Sequence, residues 1–383
     1  MRPIMIIIII TILAVYFFGN WYVFSKGLSV IDDASYRRLF IWAFWIMSGS
    51  FMLGQYLERG NPGNAERFIS YVGSTWLVVL WYALLMVAFI DLINLLNNWF
   101  HFIPQQLSSG LLSGKMLFIY VFTIVVSLAV GGYVNALNPG FSKINLDLDK
   151  TGIKEKQLKI ALVTDIHMGA IISNHRVKKM VRMLNQVDPD LILFAGDLVD
   201  HNPKPVIKRM MGEHFLDLKP KYGTYAVAGN HEFIGHPEIS INYLEQYGIS
   251  YLRDTMIKVG DAFYLAGRDD KDKPRFSEGE MRKPLNEIIN KNTDELPLIL
   301  MDHQPVEYQM VREMGVDLMV SGHTHKGQFW PFNLITSLLY ENHYGLMNKG
   351  KTNYYTSSGF GTWGPPIRIG NRPEIVEIIL NLK

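Results

Sequence analysis

The chain has 383 residues, 49% of them hydrophobic, and a formal net charge of +2. It is longer than one typical domain and can bury a sizeable core. The near-neutral balance excludes a nucleic-acid protein whose affinity comes from a broad basic face, so no nucleic-acid partner is expected, and the absence of cysteine excludes disulfides and thiolate metal sites.

Composition divides the chain into a transmembrane region over residues 1–140 and a mixed α/β domain over 141–383, with Pro139-Gly140 as a hinge. A bilayer core of ~30 Å needs about 20 apolar residues. Four stretches supply them without a charge: Ile4–Phe24, Leu39–Leu57, Tyr71–Ile90, whose helix should run on to about residue 96, and Met116–Leu137. Ile4–Phe24 follows Arg2 but has no small-residue cleavage site after it, so it reads as an anchor rather than a signal peptide. Asp91 and Asn94 close the third span. They mark the membrane interface, with Asn97, Asn98 and Trp99 following, or serve as an intramembrane functional group.

Four spans put both chain ends on one side. With the N-terminus inside, the inner flanks hold Arg2, Arg59, Arg67, Lys143, Lys150, Lys154 and Lys156, against Lys26, Arg37, Arg38 and Lys115 outside. The balance leans towards a multi-pass membrane protein with its C-terminal domain in the cytoplasm.

From residue 143 onward strands and helices alternate. Strand Ile160–Thr164 is followed by a helix over Asn174–Val187, with Val177, Met180, Val181 and Leu184 at helical spacing and Asp188-Pro189 as its stop. Strand Leu191–Ala195, helix and loop over Pro203–Leu218, strand Thr224–Ala228 and helix Glu238–Tyr247 come next. Strands near Tyr251–Val259 and Phe263–Ala266 lead to helical patterns at Ser277–Asn290 and Pro305–Met314, with strands at Leu298–Met301 and Leu318–Val320. Tyr354–Ser357 and Ile375–Leu380 add strands at the end. The late strands favour a two-layer sheet core flanked by helices over a single doubly wound sheet.

Five short islands each close an apolar run: Asp165-Ile-His167, Gly196-Asp197-Leu-Val-Asp200, Gly229-Asn230-His231-Glu232, Asp302-His303 and Gly322-His323-Thr-His325-Lys-Gly-Gln328. Five strands would thus deliver carboxylates and imidazoles to one sheet edge, the way a two-metal site is assembled. Mixed Asp, His and Asn donors suit Mn²⁺, Fe²⁺ or Zn²⁺, with Mn²⁺ favoured, better than an all-oxygen calcium or magnesium cage.

In this order the islands resemble the calcineurin-like metallophosphoesterases, and Gly322–Gln328 is similar to that superfamily's closing signature. The resemblance covers roughly residues 155–383. Within the superfamily it points to the membrane-associated YkuE/YaeI-type bacterial phosphoesterases, because Ser357-Ser-Gly-Phe-Gly-Thr-Trp-Gly-Pro-Pro-Ile-Arg368 and Arg372-Pro-Glu374 are similar to theirs. It implies a four-layer αββα sandwich and two divalent metal ions. Asp165, His167 and His325 would hold the first ion, Asn230, His303 and His323 the second, and Asp197 would bridge them. His231 would be the catalytic acid. Asp200 is either a carboxylate orienting a ligand histidine or a helix N-cap.

Three further features stay open between two readings each. Lys326 stands where many relatives have glycine and either meets substrate phosphate or is a solvated side chain. The uncharged stretch Phe329–Tyr340 is a membrane-facing or acyl-accepting rim, or ordinary core. Arg368 and Arg372 clamp a phosphate or make structural salt bridges.

The expected function is a membrane-anchored, dinuclear-metal phosphohydrolase. It would cleave a phosphodiester or pyrophosphate of a lipid or cell-envelope substrate, using hydroxide supplied by the two cations. One alternative is a UDP-2,3-diacylglucosamine pyrophosphatase of lipid A synthesis. A catalytically inactive membrane sensor or scaffold is the alternative from another class. The expected partners are the lipid bilayer and a phosphorylated small-molecule or lipid substrate.

Overall fold

The computed structural model describes residues 3–58, 60, 63–150, 155–289 and 295–382 of the chain. Arg2, Arg59 and Lys154 of the loop-charge count, and Asn290 of the expected helix, lie outside the described residues. Two compact units appear, residues 1–132 and 133–383.

In the first unit three helices, not four, are long and apolar enough to cross a membrane among the described residues: Ala34–Leu57, Asn64–Phe100 and Gly114–Ala136. The expected first span is helix Pro3–Ser29, but the side chains of residues 3–6, 8 and 9 are outside the described set. Small residues let two of the helices approach closely: a Cβ on Gly73 would lie 2.5 Å from Phe51 Cα, and one on Gly54 would lie 2.9 Å from Ser70 Cα. Phe24, Phe44, Trp76 and Leu80 form the apolar centre. Asp91 does not end its helix, which continues to Phe100; its carboxylate accepts from Tyr22 Oη at 2.6 Å and Lys26 Nζ at 2.8 Å.

Among the described residues the second unit holds twelve strands, numbered along the chain: β1 Gly140–Leu148, β2 Gln157–Val163, β3 Leu191–Ala195, β4 Thr224–Val227, β5 Ile249–Tyr251, β6 Thr255–Val259, β7 Phe263–Gly267, β8 Leu298–Met301, β9 Leu318–Ser321, β10 Gly345–Lys349, β11 Thr352–Thr356 and β12 Glu374–Leu382. They form two six-stranded sheets, ordered β1-β12-β2-β3-β4-β5 and β10-β11-β9-β8-β7-β6. Strands β2 to β5 run parallel, as do β7, β8, β9 and β11.

Alternation within the strands accounts for the layers, since successive side chains point to opposite faces. Ile160, Leu162, Leu191 and Leu193 of the first sheet meet Leu265, Ile299, Leu318 and Val320 of the second in one buried cluster. Ala161, Val163, Ile192 and Phe194 point the other way, onto Val177, Met180 and Leu184 of helix Asn174–Val187. Behind the second sheet, Leu298, Leu300 and Met319 pack on Leu285, Tyr308 and Val311. The order is helix, sheet, sheet, helix, the αββα sandwich expected from the sequence.

Several local expectations change. Gly140, of the expected hinge, already opens β1, which pairs in parallel with β12. The stretch near Tyr251–Val259 splits, with β5 in one sheet and β6 in the other. Within Ser277–Asn290 only Leu285–Ile288 is helical. Phe332–Leu339 forms a helix with no buried residue, so ordinary core is the wrong reading for it.

Candidate metal centre

Every island sits where its strand stops. Asp165 and His167 follow β2, Asp197 follows β3, Asn230 follows β4 and opens helix Asn230–Gly235, His303 follows β8, and His323 and His325 follow β9. The loops run side by side: Asp165 N donates to Gly196 O at 3.0 Å, His167 N to Asp197 O at 2.9 Å, and Gly322 N to His303 O at 2.9 Å. Folding them this tightly strains the backbone. Asp165, His167, Asp197, His323 and His325 have φ of 53°, 51°, 53°, 68° and 48°, in the left-handed region that non-glycine residues avoid. At Gly196, with φ +90°, a Cβ would lie 2.3 Å from His303 Nδ1, so no other residue fits there without displacing that ring.

The side chains converge on two adjoining points. Around the first, His167 Nε2 is 3.0 Å from His325 Nε2, which is 3.4 Å from Asp165 Oδ1. Around the second, Asn230 Oδ1 is 3.2 Å from His303 Nε2 and 2.9 Å from His323 Nδ1. Asp197 Oδ2 stands between them, 3.2 Å from His303 Nε2 and 3.7 Å from His167 Nε2. All seven residues expected as ligands come together, in the two groups the resemblance implied.

The donor set fits two divalent cations. Burial, then the neighbouring His231, holds His167 down to about 3; burial and His303 hold His323 down to about 4; burial and Arg368 hold His325 well below the usual range. Those rings are neutral, with lone pairs to offer. The close approach of His167 Nε2 and His325 Nε2 leaves room for one proton at most, so the pocket gathers more electron pairs than hydrogens. Burial would lower His303 too, but the Asp197 carboxylate outweighs it and raises that ring. Its Nδ1 lies 2.9 Å from Ala195 O, a contact that turns Nε2 towards Asp197. Burial opposes ionisation of Asp197, yet His303 and His231 hold it well below the carboxylate range. Nitrogen and oxygen donors in this mixture suit Mn²⁺, Fe²⁺ or Zn²⁺.

His231 lies beside this cluster, its ring centroid 4.5 Å from that of His167. Its Nδ1 is 2.7 Å from Asp200 Oδ1, and its backbone N–H donates to Asp197 Oδ1 at 2.9 Å. Burial alone would lower it; the carboxylates of Asp197 and Asp200 raise it to about 9. Asp200 therefore holds His231 rather than a ligand histidine. It is not a helix cap either, since Pro203 takes that place before Lys204–Lys208.

Other residues take places the sequence did not foretell. Glu232 is buried and accepts from the N–H groups of Asp197 (3.1 Å), Val199 (2.9 Å) and Gly229 (2.8 Å), tying two islands together. Its spacing from Gly229 is that of a capping box, a signal present in Gly-Asn-His-Glu. Gln328 pins the loop above the site, accepting from Trp363 N at 2.8 Å and donating to Trp363 O at 2.9 Å.

Asp302 lies outside the donor cluster, buried between Arg268 at 3.1 Å and Arg282 at 3.0 Å. Lys326 places its ammonium over the Tyr344 ring, 3.9 Å from the centroid. Arg368 is fully buried, with hydrogen bonds to the carbonyls of Gly359 and Gly361 and Nη2 3.2 Å from His325 Nδ1, and is closed to substrate. Arg372 donates to Asn138 O at 2.7 Å, which is neither a phosphate clamp nor a salt bridge.

The family signature described as calcineurin-like phosphoesterase matches residues 158–327. An uncharacterized metallophosphoesterase of Helicobacter pylori is 32% identical over 65% of this chain and 66% of its own length. A transmembrane protein with metallophosphoesterase domain from Danio rerio is 30% identical over 67% of this chain and 61% of its own. An uncharacterized metallophosphoesterase of Aquifex aeolicus is 30% identical over 60% of this chain and 87% of its own. The chain thus spans just under two thirds of the first two relatives and most of the third.

Proposed function

Because this chain belongs to the calcineurin-like metallophosphoesterases, we propose that it is a membrane-anchored, dinuclear-metal phosphohydrolase acting on a phosphodiester or pyrophosphate. The carrying observation is Asp197 Oδ2, set between two groups of nitrogen and oxygen donors. Asp165, His167 and His325 would hold one cation, Asn230, His303 and His323 the other, and the Asp197 carboxylate would offset the repulsion between them. Two such cations lower the pKa of water towards about 7 and neutralise charge on phosphoryl oxygens.

The protein's own groups do the rest. His231, protonated and held by Asp200, presents its other ring nitrogen to the leaving oxygen and donates a proton there. Gln328 holds Trp363 over this ring, whose centroid is 6.4 Å from the indole, and so limits water around the acid.

A lipid or cell-envelope substrate is the class the chain favours, since helices of membrane length keep the site where such molecules are concentrated. A UDP-2,3-diacylglucosamine pyrophosphatase is one member of that class. With helix Pro3–Ser29 counted as a fourth span, the basic residues along the full sequence support a catalytic unit on the cytoplasmic face of a bacterial cell membrane. An inactive sensor or scaffold fits less well, because degenerate sites lose ligands and all seven donors converge here.

The test is metal-dependent hydrolysis of bis(p-nitrophenyl) phosphate by the purified protein. Activity that survives both Asp197→Ala and His231→Ala undiminished sinks the assignment.

A further inference from the structure

The helix Phe332–Leu339 presents an apolar face to solvent. Leu338 is 87% exposed, Leu339 73%, Leu334 54% and Ile335 47%, at the i, i+1, i+4, i+5 spacing that puts four side chains on one side of a helix. No charged residue occurs from Phe329 to Tyr340. Four large aliphatic side chains within six residues, all facing water, form a patch of the kind that marks a contact surface rather than scattered surface residues.

Aromatic side chains bracket the patch. Trp330, 52% exposed, precedes the helix, and Tyr340 closes it with its ring 5.9 Å from that of His323. Trp363, 59% exposed, stands beside His231. Tryptophan and tyrosine favour the headgroup level of a bilayer, where a ring can be half apolar and half wet.

Chain connectivity brings one apolar phase near this unit. The last membrane-length helix ends at Ala136 and β1 begins at Gly140. Three residues lie between them, and at about 3.3–3.6 Å per residue the link reaches roughly 14 Å at most. The start of β1 is therefore tethered close to the end of a membrane-length helix, and a lipid surface is the apolar phase always within reach of the unit.

We propose that helix Phe332–Leu339 lies in the headgroup–acyl interface of the bilayer that anchors the chain, burying Leu334, Ile335, Leu338 and Leu339, so that the donor cluster opens at phosphate depth. A short helix with an apolar face and aromatic flanks binds in the plane of the interface rather than across it. The inference goes beyond the hydrolytic reading and does not depend on it, because its test reads the helix's position and not turnover.

The chain's lack of cysteine makes the test direct. Full-length Leu338→Cys, carrying an environment-sensitive fluorophore, is reconstituted into phosphatidylethanolamine–phosphatidylglycerol vesicles containing doxyl-labelled lipid. Met281→Cys, at a position 71% exposed elsewhere in the same unit, is the control. The expected result is a blue-shifted emission at 338 and lipid quenching several-fold stronger than at 281, with iodide quenching reversed in order. Leu334→Cys should repeat it, which guards against a local defect of one variant. Equal iodide access at 338 and 281 overturns the proposal. So does protection of 338 from both quenchers with cross-linking between labelled copies, which would assign the face to a second copy of the chain.

Discussion

Asp200 Oδ1 lies 2.7 Å from His231 Nδ1, and so holds, beside the donor cluster, a group that can release a proton to a leaving oxygen. Asp200 itself is held well below the carboxylate range; burial opposes this, but hydrogen bonds from His201 and His231 prevail. The pair fixes which ring nitrogen faces the site and keeps the ring charged. Asp200→Asn removes the charge and keeps the shape. We expect kcat to fall about 10–100-fold, the usual effect of losing such a partner, with metal content unchanged by elemental analysis.

The carboxylates of Asp197 and Asp200 around this ring set a pH limit. His231 is raised to about 9, so its proton is present at neutral pH and lost as pH rises through that value. A group whose folded pKa exceeds its unfolded one stabilises the fold below the unfolded pKa, and that contribution fades between about 6.5 and 9. Activity should therefore fall on the alkaline side, and the fall should begin at lower pH in Asp200→Asn. A pH–rate profile of both proteins at saturating metal checks this; superimposable alkaline limbs would contradict it.

How much of this was legible beforehand differs by element. Strands β2, β3, β8 and β9 are short apolar runs stopped by chemistry-bearing residues, and both period and boundary were visible. Helix Asn174–Val187 was equally plain, because its apolar spacing and its stop at Asp188-Pro189 agree. Strand β1 was not, since its strand partner, β12, is more than 200 residues away and its exposed polar positions read as a linker. Ser277–Asn290 looked helical by composition, but Arg282 is drawn to Asp302 and Glu307, and tertiary ion pairs override propensity there. At the site, residue types announced the five islands, and the resemblance singled out the seven donors among them. Residue types alone could not separate Asp302 from its neighbour His303, because what decides is which way each side chain leaves the strand end.

Asp302 gives a prediction that separates structure from ligation. Its carboxylate is fully buried against Arg268 and Arg282. Removing one partner of a buried ion pair leaves the other charge uncompensated, at a cost of about 3–5 kcal/mol. Asp302→Asn should lower the denaturation midpoint markedly while the protein that remains folded binds two metals per chain. His303→Asn should do the reverse, costing metal and activity before stability. Urea titration beside metal analysis distinguishes the two.

Metal removal should destabilise as well as inactivate. Asp165, Asp197 and the imidazoles around them offer lone pairs that only the folded chain brings together, so ions held there stabilise it by mass action. A ligand at 100 times its Kd contributes about 2.7 kcal/mol per site, and about 1 kcal/mol moves the midpoint of a domain this size by roughly 2–4 °C. Chelation should lower the catalytic unit's melting temperature by about 5–10 °C per site and abolish hydrolysis, with both restored by Mn²⁺ or Zn²⁺. Calorimetry before and after chelation measures it.

Gly196 is the sharpest test of the strained loops. Its φ of +90° suits glycine, and a Cβ there would fall 2.3 Å from His303 Nδ1, 2.5 Å from Cγ and 2.7 Å from Cβ of the same ring. The ring cannot retreat freely, because its Nδ1 contacts Ala195 O and its Nε2 faces Asp197. Gly196→Ala must therefore displace His303 or twist the turn that carries Asp197, at about 1–3 kcal/mol of backbone strain alone. Since both residues belong to the donor cluster around Asp197, the variant should lose one metal of two and most activity while the opposite group, Asp165, His167 and His325, keeps its ion. A stoichiometry that stays at two with unimpaired turnover would show that His303 is not needed where the geometry places it.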